Sequence, residues 1–299
     1  MPHHLTAPDD AVRRERQTRL LAWFESSRRD LPWRRSRDPW AVLVSELMLQ
    51  QTQVARVEPK FVAFLARFPD VASCAAAELS EVITLWAGLG YNRRARNLHR
   101  CAVVVVEQHD GSFPADLDAL LALPGVGPYT ARAVLGFAFE RDVGVIDANA
   151  ARVLARWQAR PLARREAQDL ADAAVPAGRG WSWNQAMLDL GATVCRARNP
   201  ACEACPVAGS CGWGGDGRPE PDPAVGTFGT SGRQSRFADS DRQGRGRLVD
   251  ALRSGPVAAP DVAAAMGWPD DGARAERVAL TLVADSLVRR SDDGTWHLA

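Results

Sequence analysis

Four cysteines within seventeen residues are the densest chemistry in this chain of 299 residues: Cys195, Cys202, Cys205 and Cys211, separated by six, two and five residues. Four thiolates in one short segment can close around a single metal centre. A tetrahedral zinc site more often has two Cys-x-x-Cys pairs on either side of a longer loop. The uneven spacing here, in a loop of Pro, Ala and Gly, suits a [4Fe–4S] cube in which each iron takes one cysteine, with zinc the lesser option. Two carboxylates also stand out. Glu46 sits mid-run in the otherwise apolar SELMLQQT. Most such glutamates lie on a solvated helix face, but one that points into a pocket has a raised pKa and can act as a general acid. Asp147 follows Val145 and Ile146 at the head of ANAARVLARW. An aspartate there is more often a helix cap than a catalyst, and both roles are compatible. A carboxylate among helix amides stays ionised and can face a cationic sugar.

A third signal is LPGVGPYTARAVLGFA, residues 123–138. Gly125 and Gly127 flank the apolar Val126 in a tight turn between two helical runs. Glycines there let the backbone approach a partner closely and expose successive N–H groups at a helix N-terminus, which is a phosphate site. A bare Gly-x-Gly is weak evidence, but the longer Leu-Pro-Gly-Val-Gly-x-x-Thr-Ala string is specific for a helix-hairpin-helix that grips the DNA backbone without reading sequence.

The elements that must position these groups are helices. Residues 1–17 are polar and expected to be loose, and TRLLAWFES from Thr18 to Ser26 has helical spacing. Amphipathic runs follow: WAVLVSELMLQQTQVARV; PKFVAFLARF, opening with proline in its first turn; LSEVITLWAGLG, ending on a C-cap glycine; and NRRARNLHRCAVVVVEQH. Strand signals are almost absent before residue 215, so the first two-thirds reads as an all-helical array. The Gly- and Pro-rich GGDGRPEPDPAVGTFGTSGR reads as a flexible linker. Three further helical runs and a terminal Asp-Gly hairpin form a winged-helix pattern. The expected domains are a helical domain over 18–213, a linker over 214–235 and a winged-helix-like domain over 236–299. The helical domain divides into a six-helix lobe at 38–140 and a metal lobe of 18–37 with 141–213.

Composition narrows the class. Hydrophobic residues make up 46% and charged residues 24%, which fits a globular chain and excludes overall disorder. No apolar run approaches the ~20 residues that span a bilayer. The N-terminus MPHHLTAPDDAVRRERQ has no signal-peptide core, so a cytoplasmic location is expected. Six cysteines without an export signal favour metal ligation over disulfides, and Cys74 and Cys101 fall on amphipathic runs as core residues. Net charge is only +1, and Lys60 is the single lysine among 37 basic residues. Any DNA face must then come from clustered arginines and backbone amides. The five histidines, His3, His4, His99, His109 and His297, show no metal spacing.

Together, Leu31-Pro32-Trp33-Arg34, the run from Ser45 to Val54, Leu85 to Tyr91, the hairpin, Asp147 and the stretch from Asn184 to Cys211 resemble the MutY-type adenine glycosylases. These belong to the helix-hairpin-helix, iron–sulfur relatives of endonuclease III. The resemblance covers residues from about 20 to 213, and the tail FADSDRQGRGRLVDALR looks like that of actinobacterial members. It implies a mainly α, two-lobed fold with a [4Fe–4S] cluster on the four cysteines, acting as a monomer on double-stranded DNA with an A·8-oxoguanine or A·G mispair. Glu46 would protonate adenine N7 and Asp147 would stabilise an oxocarbenium-like sugar, with Tyr129 and Asn149 lining the catalytic pocket. Arg29, Trp33, Arg34 and Gln185 match the adenine-pocket wall. Gln51, Thr52, Leu89 and Tyr91 match residues that wedge into the duplex and contact the lesion partner. Tyr129 stands where bifunctional relatives carry a Schiff-base lysine, which implies a monofunctional enzyme, and Gln50-Gln51-Thr52 favours adenine over thymine. The chain departs from the family in reading Asp147-Ala148-Asn149, and in lacking a Nudix-like C-terminal domain. The alternatives are a thymine or uracil mismatch glycosylase of the same fold, and a non-catalytic DNA-binding protein.

Overall fold

The computed structural model describes residues 10–230 and 236–299; the expectations for residues 1–9, including His3 and His4, and for 231–235 lie outside it. In chain order the helices begin with α1 (Asp10–Ser27), α2 (Pro39–Leu49), α3 (Val54–Arg67), α4 (Val71–Ala75) and α5 (Leu79–Leu85). Next come α6 (Arg93–Gln108), α7 (Leu117–Ala122), α8 (Pro128–Phe137), α9 (Ala148–Trp157) and α10 (Arg164–Ala174). The series closes with α11 (Gly180–Asp189), α12 (Gly212–Gly215), α13 (Asp241–Ser254), α14 (Val262–Met266) and α15 (Gly272–Ala284). Two antiparallel strands end the chain, β1 (Val288–Arg290) and β2 (Trp296–Leu298), with Val288 opposite Leu298. The fold is mainly α, as the sequence implies. No helix among the described residues is long and apolar enough to cross a membrane. The described residues fall within two compact units, Met1–Pro39 with Gly127–Arg233, and Trp40–Val126 with Gln234–Ala299.

The first unit is built around α9, where every residue from Ala150 to Trp157 is buried. Its apolar side chains join Leu20 and Phe24 of α1 and Trp183 and Met187 of α11 in one core. The N-terminal helix starts at Asp10, not at Thr18. Arg16 explains the extension: its guanidinium lies 5.0 Å from the Trp157 ring centroid and donates to Ser210, so the polar first turns are ordered by a tertiary contact. The segment expected as a flexible linker is also packed over much of its described length. Asp222 pairs with Arg156 at 2.6 Å, and the buried Thr227 accepts from the Leu162 amide at 3.1 Å. Helix α8 was expected in the 38–140 lobe. It groups with this unit instead because it packs on α11.

The second unit gathers Trp40, Phe64, Phe68 and Trp86, with Phe64 edge to face with Phe68 at 5.1 Å and with Trp86 at 6.1 Å. The run from Trp40 to Val57 is not continuous, because Gln51 takes φ +55° and ends α2. Helix α3 then begins at Val54 and carries Pro59 inside it, not in its first turn. Burial of Val57, Phe61 and Phe64 on one face outweighs the missing amide at Pro59. Helices α13–α15 and the strand pair form a small core of their own around Leu248, Met266, Leu282 and Trp296. They join this unit through Arg253, which donates to the Ile83 carbonyl (3.1 Å) and Asn92 (3.0 Å).

One side chain organises the functional end of this unit. Arg94 of α6 is buried and donates to the carbonyls of Leu47 (2.7 Å), Met48 (2.9 Å), Gln50 (2.7 Å), Leu89 (2.9 Å) and Gly90 (3.0 Å). It also donates to the Thr52 hydroxyl at 3.2 Å. It thereby ties the end of α2 to the turn before α6. Burial pulls its pKa down to about 10. Replacing Arg94 with Met strands these acceptors. The Arg94→Met variant is expected to lose about 3 kcal/mol or more of unfolding free energy, read as a lower urea midpoint.

Candidate active site and metal centre

Asp147 reaches its position through a short extended segment clamped on both sides. The Val145 amide donates to Asn184 Oδ1 at 2.8 Å, and Asn184 Nδ2 donates to the Val143 carbonyl at 2.8 Å. From α10, Asp172 accepts from the Gly144 amide at 2.7 Å. Asp147 then caps α9, accepting at Oδ1 from the amides of Asn149 and Ala150, each at 2.8 Å. Its second oxygen accepts from Asn149 Nδ2 at 2.8 Å. Burial raises the Asp147 pKa above its ordinary 3.8, outweighing the opposite pull of those donors and of Arg152. The helix amides that the sequence placed beside this carboxylate are present and favour its ionised form, while desolvation sets the direction of the shift.

Asn149 passes the constraint onward. Its Oδ1 accepts from Arg152 Nη2 at 2.8 Å, and Arg152 also donates to the Gly191 carbonyl (2.7 Å) and the Cys195 carbonyl (2.8 Å). A single π turn, Leu190–Val194, delivers the chain to Cys195. Gly191 is obligatory in that turn, since a Cβ there would lie 2.7 Å from Asn149 Cβ. A hydrogen-bonded path therefore runs from Asp147 through Asn149 and Arg152 to the first cysteine.

Cys195, Cys202, Cys205 and Cys211 line one cavity of about 260 Å³. Among the described residues, no three Cys, His, Asp or Glu side chains gather closely enough to hold a single metal ion. Four thiols around one hollow can give one ligand to each iron of a cube. The surroundings suit an anionic cluster: Arg156 Nη1 donates to Cys195 Sγ at 3.3 Å and the Gly214 amide to Cys211 Sγ at 3.4 Å. Cys74 and Cys101 are fully buried, and burial pushes each thiol up to about 12, as suits inert core residues.

Arg29 and Arg34, expected on a base-pocket wall, converge on a residue that sequence reasoning missed. Asp189, 1% exposed, accepts from Arg29 Nε at 2.6 Å and from both terminal nitrogens of Arg34 at 2.8 Å. Its only sequence signal was a carboxylate inside the apolar AMLDLGA. Trp33 and Gln185 are buried in the same unit, and Tyr129 lies half-buried in the first turn of α8. Burial pushes the Asp189 pKa up, but the two arginines outweigh it and hold it below 3.8.

Glu46 belongs to the second unit, where it is 5% exposed on α2, one residue before the carbonyls that Arg94 holds. Gln51, Leu89 and Tyr91 line one cavity there, and Thr52 donates to the Leu89 carbonyl at 3.4 Å. Gln51 and Tyr91 both take left-handed φ, +55° and +47°, which is uncommon for such residues and clusters at working loops. Leu89 is buried and Tyr91 is exposed. In the hairpin, Gly125 has φ +78°, and a Cβ there would meet Asn97 at 2.6 Å. Gly127 caps α8, which opens with Pro128.

The chain matches two family models: HhH-GPD superfamily base excision DNA repair protein over residues 44–174, and the iron–sulfur binding domain of endonuclease III over residues 195–211. It is 42% identical to an adenine DNA glycosylase of Mycolicibacterium smegmatis, over 94% of each chain. With the human adenine DNA glycosylase it shares 43% identity over 64% of this chain and 38% of that one. A solved thermostable thymine-DNA glycosylase superposes with TM-score 0.65 at 30% identity, covering 69% of this chain and all of that one.

Two outcomes follow from this geometry. The purified chain should be brown and hold about four irons per molecule; a colourless protein with one zinc would contradict the cluster. The stability Asp189 contributes is full above its ordinary pKa of 3.8 and is lost as pH falls through its lower folded value. Asp189→Asn should cost about 3 kcal/mol at neutral pH in denaturant titrations, with the gap to wild type closing in acid.

Proposed function

The chain belongs to the adenine DNA glycosylases of the helix-hairpin-helix base excision repair superfamily, and from that premise we propose that it hydrolyses adenine from A·8-oxoguanine and A·G mispairs without cutting the strand. The single observation that carries the reading is the capped, half-buried Asp147, hydrogen-bonded to Asn149 and clamped from α10 and α11. Adenine leaves the stack for a pocket, since chemistry at its glycosidic bond needs an extruded base. Protonated Glu46 gives its proton to N7 as the C1′–N9 bond breaks, so the base departs neutral. Asp147, as the anion, faces the cationic sugar. Water then adds hydroxide to C1′, and the proton it sheds restores the acid. This is the division between one acid and one anion that glycoside hydrolysis uses.

Tyr129 lies in the first turn of α8 where a lyase would need an amine, and the one lysine, Lys60, is on α3. The product is thus an intact strand with an abasic site. Tyr129 and Asn149 line the reaction pocket. Arg29 and Arg34 act from behind it, because Asp189 already holds their forks. The hairpin from Gly125 to Gly127 grips the DNA backbone, and Gln51, Thr52, Leu89 and Tyr91 meet the duplex at the mispair. The enzyme acts as a monomer on cytoplasmic DNA. Cys195, Cys202, Cys205 and Cys211 would hold the cluster, which would brace their loop, and the proton transfers involve Glu46 and water only.

The test is release of free base from A·8-oxoguanine, A·G and G·T duplexes under single turnover. Adenine should be released and the strand should stay whole until alkali is added. Thymine release from G·T alone would favour the thymine-mismatch reading, and tight binding with no release a non-catalytic one. Glu46→Gln and Asp147→Asn should each bind but slow release by roughly a hundredfold or more. Because burial raises the Asp147 pKa, the acid side of the rate profile should fall at a pH above 3.8.

A further inference from the structure

Residues 212–230 lie beyond both matched family models, yet they send one carboxylate back towards the cysteine cavity. Asp222 accepts from two arms of the Arg156 fork, from Nε at 3.1 Å and from Nη2 at 2.6 Å. The third nitrogen of that guanidinium, Nη1, donates to Cys195 Sγ at 3.3 Å and to the Arg196 carbonyl at 2.8 Å. We infer that Asp222 is the counter-charge that sets, through Arg156, the reduction potential of a cluster held on Cys195. This role is independent of which base the enzyme releases.

Arg16, Arg152 and Arg156, all buried, lie against the cysteine loop. Arg16 donates to Ser210, and Arg152 to Asn149 and to main-chain carbonyls, all of them neutral acceptors. Among the described residues, Arg156 is the one of the three in an ion pair with a carboxylate. It is 1% exposed, and its guanidinium lies 4.7 Å from the ring centroid of Trp213, which lines the cysteine cavity. Out of water, this pair acts on the neighbouring sulfur more strongly than a solvated pair would. Burial pushes the Asp222 carboxyl up, but Arg156 and the Ala224 amide outweigh it and hold it below 3.8. Asp222 is thus an anion at neutral pH.

The direction of the effect follows from charge. Each electron added to an iron–sulfur cluster makes it more negative by one unit. A guanidinium donating to a ligand sulfur favours that added charge, and a carboxylate behind the guanidinium opposes it. Both levers sit here on one ion pair.

The carboxylate is fastened from both sides. The Ala224 amide donates to Asp222 Oδ1 at 2.9 Å, and the Val225 amide to the Asp222 carbonyl at 2.8 Å. Further along, the Phe228 amide donates to the Leu162 carbonyl at 3.0 Å, and the Phe228 ring centroid lies 4.0 Å from the Arg164 guanidinium of α10. Before Asp222, Trp213 Nε1 donates to the Pro219 carbonyl at 2.8 Å. A charge fixed in this way keeps its distance from Cys195, as a tuning group must.

The test is the midpoint potential of the cluster's one-electron couple, the electron passing to or from a carbon electrode that carries a film of the full-length, iron-loaded chain. Asp222→Asn keeps an acceptor for Arg156 and removes the charge, so the midpoint should shift upward. Arg156→Gln should shift it downward, and Asp222→Glu should restore the wild-type value. Asp216→Asn neutralises an exposed carboxylate of the same segment and should leave the midpoint unmoved. A merely structural brace would leave the potential of the iron-loaded protein unchanged, or move both halves of the pair in one direction. Either result overturns the inference. So does an Asp216→Asn shift as large as that of Asp222→Asn, because bulk charge then suffices. If Arg156→Gln fails to hold iron, the two Asp222 variants decide. Asn above wild type with Glu at wild type upholds the inference, and any other result sinks it. A wild-type chain that releases no adenine would end the functional reading and leave this measurement standing.

Discussion

Arg152 is the side chain that the first unit cannot do without. One guanidinium holds Asn149, the Gly191 carbonyl and the Cys195 carbonyl, so the proposed anion and the first cluster ligand share a hydrogen-bonded frame. A buried guanidinium is held in place by its acceptors, and losing one of them leaves charge uncompensated. The four cysteines thereby acquire a role that needs no electron transfer. A cluster on these cysteines would brace the Cys195 carbonyl that Arg152 binds, and Arg152 in turn holds Asn149 against Asp147.

The second unit repeats the device with different partners. Arg94 gathers the end of α2, where Glu46 sits, and the turn that carries Leu89 and Tyr91. In both units a buried arginine binds main-chain carbonyls, which no substitution elsewhere can remove. The loops can then hold left-handed residues such as Gln51 and Tyr91, because Arg94 repays their strain with charged hydrogen bonds. Among the described residues Arg16, Arg94, Arg152 and Arg156 are buried, and most other arginines stay at least partly exposed.

Much of this was legible in the chain. Cysteine spacing implied one centre for the four thiols, the glycines of 123–138 implied a tight turn, and Asp147 showed as a cap. Those signals survive because each depends on local spacing. The arginine frames were invisible. Arg94 and Arg152 look like any others on an amphipathic helix, and only long-range packing distinguishes a buried fork from a solvated one. Asp189 was hidden in an apolar run for the same reason. The first turns of α1 and the segment around Thr227 read as loose because their composition is polar, whereas their order comes from partners far away in sequence. Pro59 misplaced the start of α3, since burial of its apolar face outweighed the proline rule.

The account stands on Glu46 and Asp147 serving one extruded base. The most direct measurement is a crystal structure of the chain bound to DNA carrying 2′-fluoro-2′-deoxyadenosine opposite 8-oxoguanine. It should show adenine out of the stack, its N7 within hydrogen-bond reach of Glu46 and its sugar C1′ facing Asp147. Adenine still stacked in the duplex, or extruded to a site that either carboxylate fails to line, would contradict it.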